Sequence, residues 1–184
     1  MNHYLDIRVL PDPEFKETVL MNALFAKLHR ALVDVGQGEI GVSFPLQTKN
    51  LGELLRLHGS EAALTRLMAE NWLKGLRDYT ECSQVQAVPT TTQFRKVERV
   101  QFKSNPERLR RRSIANGKLS AEAALSQIPD SKAERTDLPF VQLKSKSTGQ
   151  EFRLFIEQGP LQTQASQGQF SDYGLSNTAT IPHF

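Results

Sequence analysis

Two periodicities alternate along the first 92 residues, and their order leaves few folds open. Tyr4 to Leu10 sets Leu5, Ile7 and Val9 on one face and Asp6 and Arg8 on the other, the pattern of a half-buried strand. Pro11-Asp12-Pro13 ends it. From Glu14 to about Val35 the repeat turns helical: Leu20, Leu24, Leu28, Ala31, Leu32 and Val35 form one stripe, which Gly36 and Gly38 stop. Ile40 to Phe44 and Leu54 to His58 read as strands. Ser60 caps a helix from Glu61 to about Glu70, and Val85 to Val88 predicts a fourth strand before Pro89. The order β-α-β-β-α-β is the ferredoxin-like arrangement, shared by many RNA-binding domains. Fold order alone does not give function.

The run Pro89-Thr90-Thr91-Thr92 predicts a boundary, so the chain reads as α+β with a ferredoxin-like domain over 1–92 and a smaller α+β half over 93–184. In that half Phe94 to Phe102 looks like a strand feeding a helix. Asn105 can cap this helix, Pro106 suits its first position, Glu107 complements its dipole and Gly117 is a C′ residue. Ser120 starts another short helix, closed by Pro129, and residues 130–137 read as loop. Phe140 to Leu143 and Phe152 to Ile156 predict a hairpin around the tip KSKSTGQE. Beyond Gly159-Pro160 a Gln- and Ser-rich loop leads into SDYGLSNTATIPHF.

Charge is gathered rather than spread. From Arg95 to Arg112 stand eight Lys or Arg against Glu98 and Glu107, a local net of +6 in a chain whose formal charge is only +3. On the helix, Arg108, Arg111, Arg112 and Ala115 share one face. Concentrated cationic charge of this kind is the footprint of nucleic-acid binding; a solvated basic face is the bland alternative, which i±4 salt-bridge partners would favour. Other classes recede. Cys82 stands alone, no apolar run approaches a membrane span, and MNHY passes straight into a strand without a secretion signal, so the cytoplasm is the expected compartment. No Cys/His cluster has metal spacing, and neither GxxxxGK[ST] nor HExxH occurs, so no metal and no cofactor is expected.

YLDIRVLPDPEF, LFAKLHRAL, IGVSFP, RVQFKSNPERLRRR, LPFVQL, STGQEFRLFI, GPLQ and YGLS followed by IPHF, in that order and spacing, resemble the repeat-processing endoribonuclease of type I-F CRISPR systems over nearly the whole chain. The resemblance implies an arginine-rich helix lying in the major groove of the hairpin formed by a CRISPR repeat. It implies metal-free cutting at the 3′ base of that stem, leaving a 5′-hydroxyl and a cyclic phosphate. The protein, a monomer when free, would stay on its product as a subunit of a surveillance complex with other Cas proteins.

Metal-free cleavage needs a base for a ribose 2′-OH, and histidine, with an ordinary pKa near 6.5, suits that task. His29 lies one step off the Leu24/Leu28/Leu32 stripe; read from residues alone it is a boundary histidine, whereas the resemblance makes it the catalytic one. By resemblance Ser145 would hold the 2′-OH, Ser147 and Thr148 would bind neighbouring phosphates, and Tyr173 would orient the histidine. Without it the tip is a turn and Tyr173 a core aromatic. Arg99 and Gln101, alternate residues on one strand face, match a pair that reads the last base pairs of the stem, as Arg does guanine and Gln adenine. Lys103, Arg108, Arg111 and Arg112 would grip the hairpin. Phe152 would stack on its terminal pair, or is core beside Leu154 and Ile156. The chain departs from the family after Arg112, where Ser113-Ile114-Ala115-Asn116-Gly117 ends the basic run, at Glu157 and Gln158, and in the tail at Asn177-Thr178-Ala179 and His183. These changes bear on which repeat is recognised. Two other classes stay open: an RNA-holding subunit that does not cut, and a protein that lays the basic helix in DNA.

Overall fold

The computed structural model describes residues 1–90, 92–101, 106–129, 136–145 and 148–184. They form two compact units, Met1–Val100 with Leu138–Phe184, and Gln101–Asp137.

The first unit opens with strand β1 (His3–Val9), helix α1 (Glu17–Val35), strands β2 (Gly41–Ser43) and β3 (Leu54–Gly59), and helix α2 (Glu61–Ala69). Strands β4 (Thr80–Cys82) and β5 (Gln86–Ala87) follow. All pairings are antiparallel in the order β2-β3-β1-β4, with β5 also on β1, so the sheet is ferredoxin-like. Leu5, Ile7 and Val9 are buried, as their alternation requires. Two boundaries differ from the sequence expectation. The first helix starts at Glu17 rather than Glu14, because Asp12 Oδ1 accepts the Glu14 and Phe15 amides and holds a turn there. The fourth strand is in two pieces: Ser83 interrupts it, donating its N–H to Asp6 O while its Oγ accepts the Asp6 amide. Thr80–Cys82 escaped notice because a short, mostly exposed edge carries no apolar alternation.

The same unit holds a second antiparallel sheet, ordered β7-β8-β6-β9, of β6 (Gln93–Val100), β7 (Phe140–Lys144), β8 (Glu151–Gln158) and β9 (Ser176–His183). Strand β9 had no signal in the sequence. It tolerates Pro182 because it is an edge strand. The expected boundary near residue 92 separates the strands of the two sheets, yet one apolar cluster serves both. Leu20, Leu24, Phe25 and Leu28 of α1 share it with Ile7, Val141, Leu154 and Ile156. Gln158 ties the sheets together: Phe44 donates its amide to Gln158 Oε1 at 3.2 Å, and Gln158 Nε2 donates to Phe44 O at 3.0 Å. In this chain, therefore, position 158 has a structural employment.

His58 is fully buried, with Nε2 2.8 Å from Ser43 Oγ and Nδ1 without a partner among the described residues. Burial first, then Arg56, push its pKa down to about 3. A folded pKa below the unfolded value gives stability that is present above pH ~6.5 and lost as pH falls toward 3. Between pH 7 and 5 the protein is expected to lose about 2 kcal/mol more than a His58→Gln variant does, read from denaturant midpoints. Equal losses would show that another group titrates.

The second unit is a helical pair, α3 (Pro106–Ala115) and α4 (Ala121–Gln127). Gly117 takes φ +65° past the end of α3, the left-handed cap its sequence position predicted. Ser120 Oγ caps α4 by accepting the Ala123 amide, and Arg110 Nε donates to Ile128 O at 2.8 Å, fastening α3 to the end of α4.

Candidate active site

Phe25 and His29 stand one turn apart on α1, so their rings leave the helix on the same face. Tyr173 lies parallel to both, 4.1 Å from the His29 ring centroid at 9° and 6.3 Å from Phe25 at 6°. A tight turn delivers Tyr173. Gly174 donates to Ser171 O, and Ser171 donates back to Leu175 O. Gly174 adopts φ +69°, and a Cβ there would meet Val42 Cγ1 at 2.6 Å, so both conformation and space call for glycine. The same turn points the Asp172 carbonyl at His29 Nδ1, 2.9 Å away. A carbonyl only accepts, so Nδ1 carries the proton and, in the neutral ring, the lone pair sits on Nε2.

That imidazole lines a cleft of about 530 Å³ together with Arg30, Asp34, Lys144, Ser145, Phe152 and Tyr173. Ser145 leaves the end of β7, where the tip closes through Ser145 N–H to Gln150 O and Gly149 N–H to Ser145 O. Its hydroxyl accepts the Thr148 amide at 3.3 Å. Phe152 is half-buried on the face of β8 that carries Leu154 and Ile156, at the rim of the core. Arg99 reaches toward both aromatics, its guanidinium carbon 6.0 Å from the Phe152 and the Tyr173 ring centroids.

The structure thus brings His29, Ser145, Phe152 and Tyr173 to one cleft, with Arg99 beside them and Thr148 bonded to Ser145. Lys103 and Ser147 lie outside the described residues. Gln101 follows the last residue of β6 rather than extending it, because pairing with β8 ends at Val100, so Arg99 and Gln101 do not alternate on one strand. Gln101, Arg108, Arg111 and Arg112 belong to the second unit, where Arg111 lies 3.9 Å from Glu107 at i,i+4 with both side chains well exposed. A pair so open to water is weak.

Three participants escaped the sequence. Arg30, exposed and next to His29, and Lys144, next to Ser145, put cations on the cleft wall, and each adjoined a residue already singled out. The Asp172 carbonyl had no signal at all, since every residue has one. The other histidines stand elsewhere: His58 is buried, His183 has its pKa lowered by burial and then by Arg95, and His3 lies 3.8 Å from Glu61. Among the described residues no three His, Cys, Asp or Glu side chains are grouped to hold a metal ion, and no helix is long and apolar enough to cross a membrane.

A family model described as "CRISPR-associated protein (Cas_Csy4)" matches residues 4–184. The chain belongs to this family of CRISPR-associated proteins. It is 55% identical, over all of both chains, to the "CRISPR-associated endonuclease Cas6/Csy4" of Escherichia coli (strain UTI89 / UPEC). It is 54% identical, again over all of both, to the protein of the same name from Pseudomonas aeruginosa (strain UCBPP-PA14). Among solved structures it has a slight likeness, TM-score 0.38 and 15% identity over 99% of this chain and 100% of that one, to "Structure A of CRISPR endoribonuclease Cse3 bound to 19 nt RNA".

Proposed function

We propose that this chain is an endoribonuclease that binds the hairpin of a CRISPR repeat and cuts at the 3′ base of the stem without a metal ion. Nε2 of His29 takes the proton from the 2′-OH beside the cut, and the freed oxygen attacks the adjacent phosphorus. The bond from phosphorus to the 5′ oxygen breaks, that oxygen takes a proton from water, the imidazolium returns its own to solvent, and the products are a 2′,3′-cyclic phosphate and a 5′-hydroxyl. Ser145 holds the attacking hydroxyl; Arg30, Lys144, Ser147 and Thr148 hold phosphate oxygens, and the two cations offset charge that grows on the phosphoryl group. Phe152 stacks on the terminal base pair. Arg99 and Gln101 read the last pairs, while Lys103, Arg108, Arg111 and Arg112 grip the backbone. In this division of labour residues 1–92 supply the imidazole and residues 93–184 most of the RNA contacts. The product, a mature guide RNA, stays bound, and the protein, a cytoplasmic monomer when free, joins other Cas subunits through it.

The observation that carries the reading is the His29 ring, proton-committed at Nδ1 to the Asp172 carbonyl, in one cleft with Ser145 and two cations. The names of the full-length relatives support it. The test is incubation with the repeat RNA of the chain's own locus. Cutting is expected to persist in EDTA and to vanish when the 2′-OH at the cut is replaced by hydrogen. Cutting that stops in EDTA would reject the metal-free mechanism. A hairpin bound tightly and left whole would instead identify an RNA-holding subunit.

A further inference from the structure

A second cleft, of about 420 Å³, shares Tyr173 with the first. Its polar lining includes Glu98, Arg99, Gln169, Asp172 and Asn177. No hydrogen bond or ion pair engages the side chains of Glu98, Gln169, Asp172 or Asn177 among the described residues. Glu98 even stands opposite Glu157 across β6 and β8, a like-charge pairing that lowers stability. Two carboxylates repel phosphate, so this recess is a poor seat for an RNA backbone. Carboxylates, primary amides and a guanidinium together nevertheless offer the donors and acceptors that a base edge needs; Asp or Glu accepts an exocyclic amino group, and Asn or Gln can bond in both senses. Bases inside a stem have used their Watson–Crick edges, whereas an unpaired base presents them.

We infer that this cleft receives the unpaired nucleobase immediately 3′ of the cut, an assignment that rests on the function proposed above. Asp172 joins the two clefts. Its carbonyl holds His29 Nδ1 and the residue lines the recess, so a seated base orders the turn that sets the imidazole. Discrimination therefore shows in the cutting step.

The test is single-turnover cleavage of hairpins that share one stem and carry each of the four bases, or no base, at the first nucleotide 3′ of the cut. The expected result is that the best base is cut at least about fivefold faster than the abasic RNA. In a variant with both Gln169→Ala and Asn177→Ala, two exposed residues, that ratio falls toward one. Abasic RNA cut as fast as the best would overturn the inference. So would a variant that slows all five RNAs equally, or a preference residing at the nucleotide 5′ of the cut. If hairpins bind but none is cut, the nuclease reading fails by itself, and base preference is scored by the same ratio in binding. If none binds, both readings fall.

Discussion

Replacing His29 by alanine is expected to slow cleavage of the repeat hairpin by about 10²–10⁴-fold, the usual contribution of a positioned acid–base group, and to leave hairpin affinity within a few-fold. In the proposed reaction the side chain supplies one atom, Nε2, and it is half-buried at the edge of the core, so its loss removes little packing. Tyr173 sharpens the prediction. Its ring stacks on the imidazole and its hydroxyl makes no hydrogen bond among the described residues, so orientation comes from the ring and from the Asp172 carbonyl. Tyr173→Phe keeps the stack and should cut within about threefold of the parent, since neutral hydrogen bonds contribute ~0.5–1.5 kcal/mol at most and here none is lost. Tyr173→Ala removes the stack and frees the imidazole to rotate, and should lose roughly two- to tenfold, in line with the ~0.5–1.5 kcal/mol of an aromatic pair beyond area burial. Rates of the two variants, with binding measured on the 2′-deoxy hairpin, separate the possibilities. An unchanged rate in His29→Ala would remove the imidazole from the reaction, and a crippled Tyr173→Phe would return the phenol to it.

What was legible in the chain divides along a physical line. The first sheet could be read because one of its faces is buried, and burial imposes alternation, as at Leu5, Ile7 and Val9. Helix α3 could be read from Pro106 and Gly117, whose backbone limits are intrinsic. Strand β9 could not. Its residues are buried nearly continuously from Ala179 to Pro182, and a run of that kind with a proline in it matches neither period. The site shows the same divide. His29, Ser145 and Tyr173 are far apart in sequence, and composition or spacing has no means of bringing them together; their common cleft follows from packing α1 against the second sheet. The atom that commits the imidazole's proton belongs to a backbone, and a backbone carries no residue identity to read.

Removing the three arginines of one α3 face, Arg108, Arg111 and Arg112, all to alanine, is expected to weaken hairpin binding roughly a hundredfold at 0.15 M salt. Each cation set against a phosphate releases about one counterion, so the slope of log affinity on log salt should become shallower by about 2 to 3. The Glu107–Arg111 pair does little to offset them, standing 3.9 Å apart in open water. Arg110 serves as the internal control. Its guanidinium is turned onto Ile128 O within the same unit, so Arg110→Ala should loosen the α3–α4 pair while leaving the salt slope nearly intact. Alanine itself favours helix, so α3 should survive all of these changes, and circular dichroism can verify that. Titrating the hairpin and a DNA duplex of matched length between 0.05 and 0.3 M salt completes the comparison. An unaltered slope in the triple variant would make the basic face a solvated surface. Duplex DNA that competes as well as the hairpin would hand α3 to a different nucleic acid.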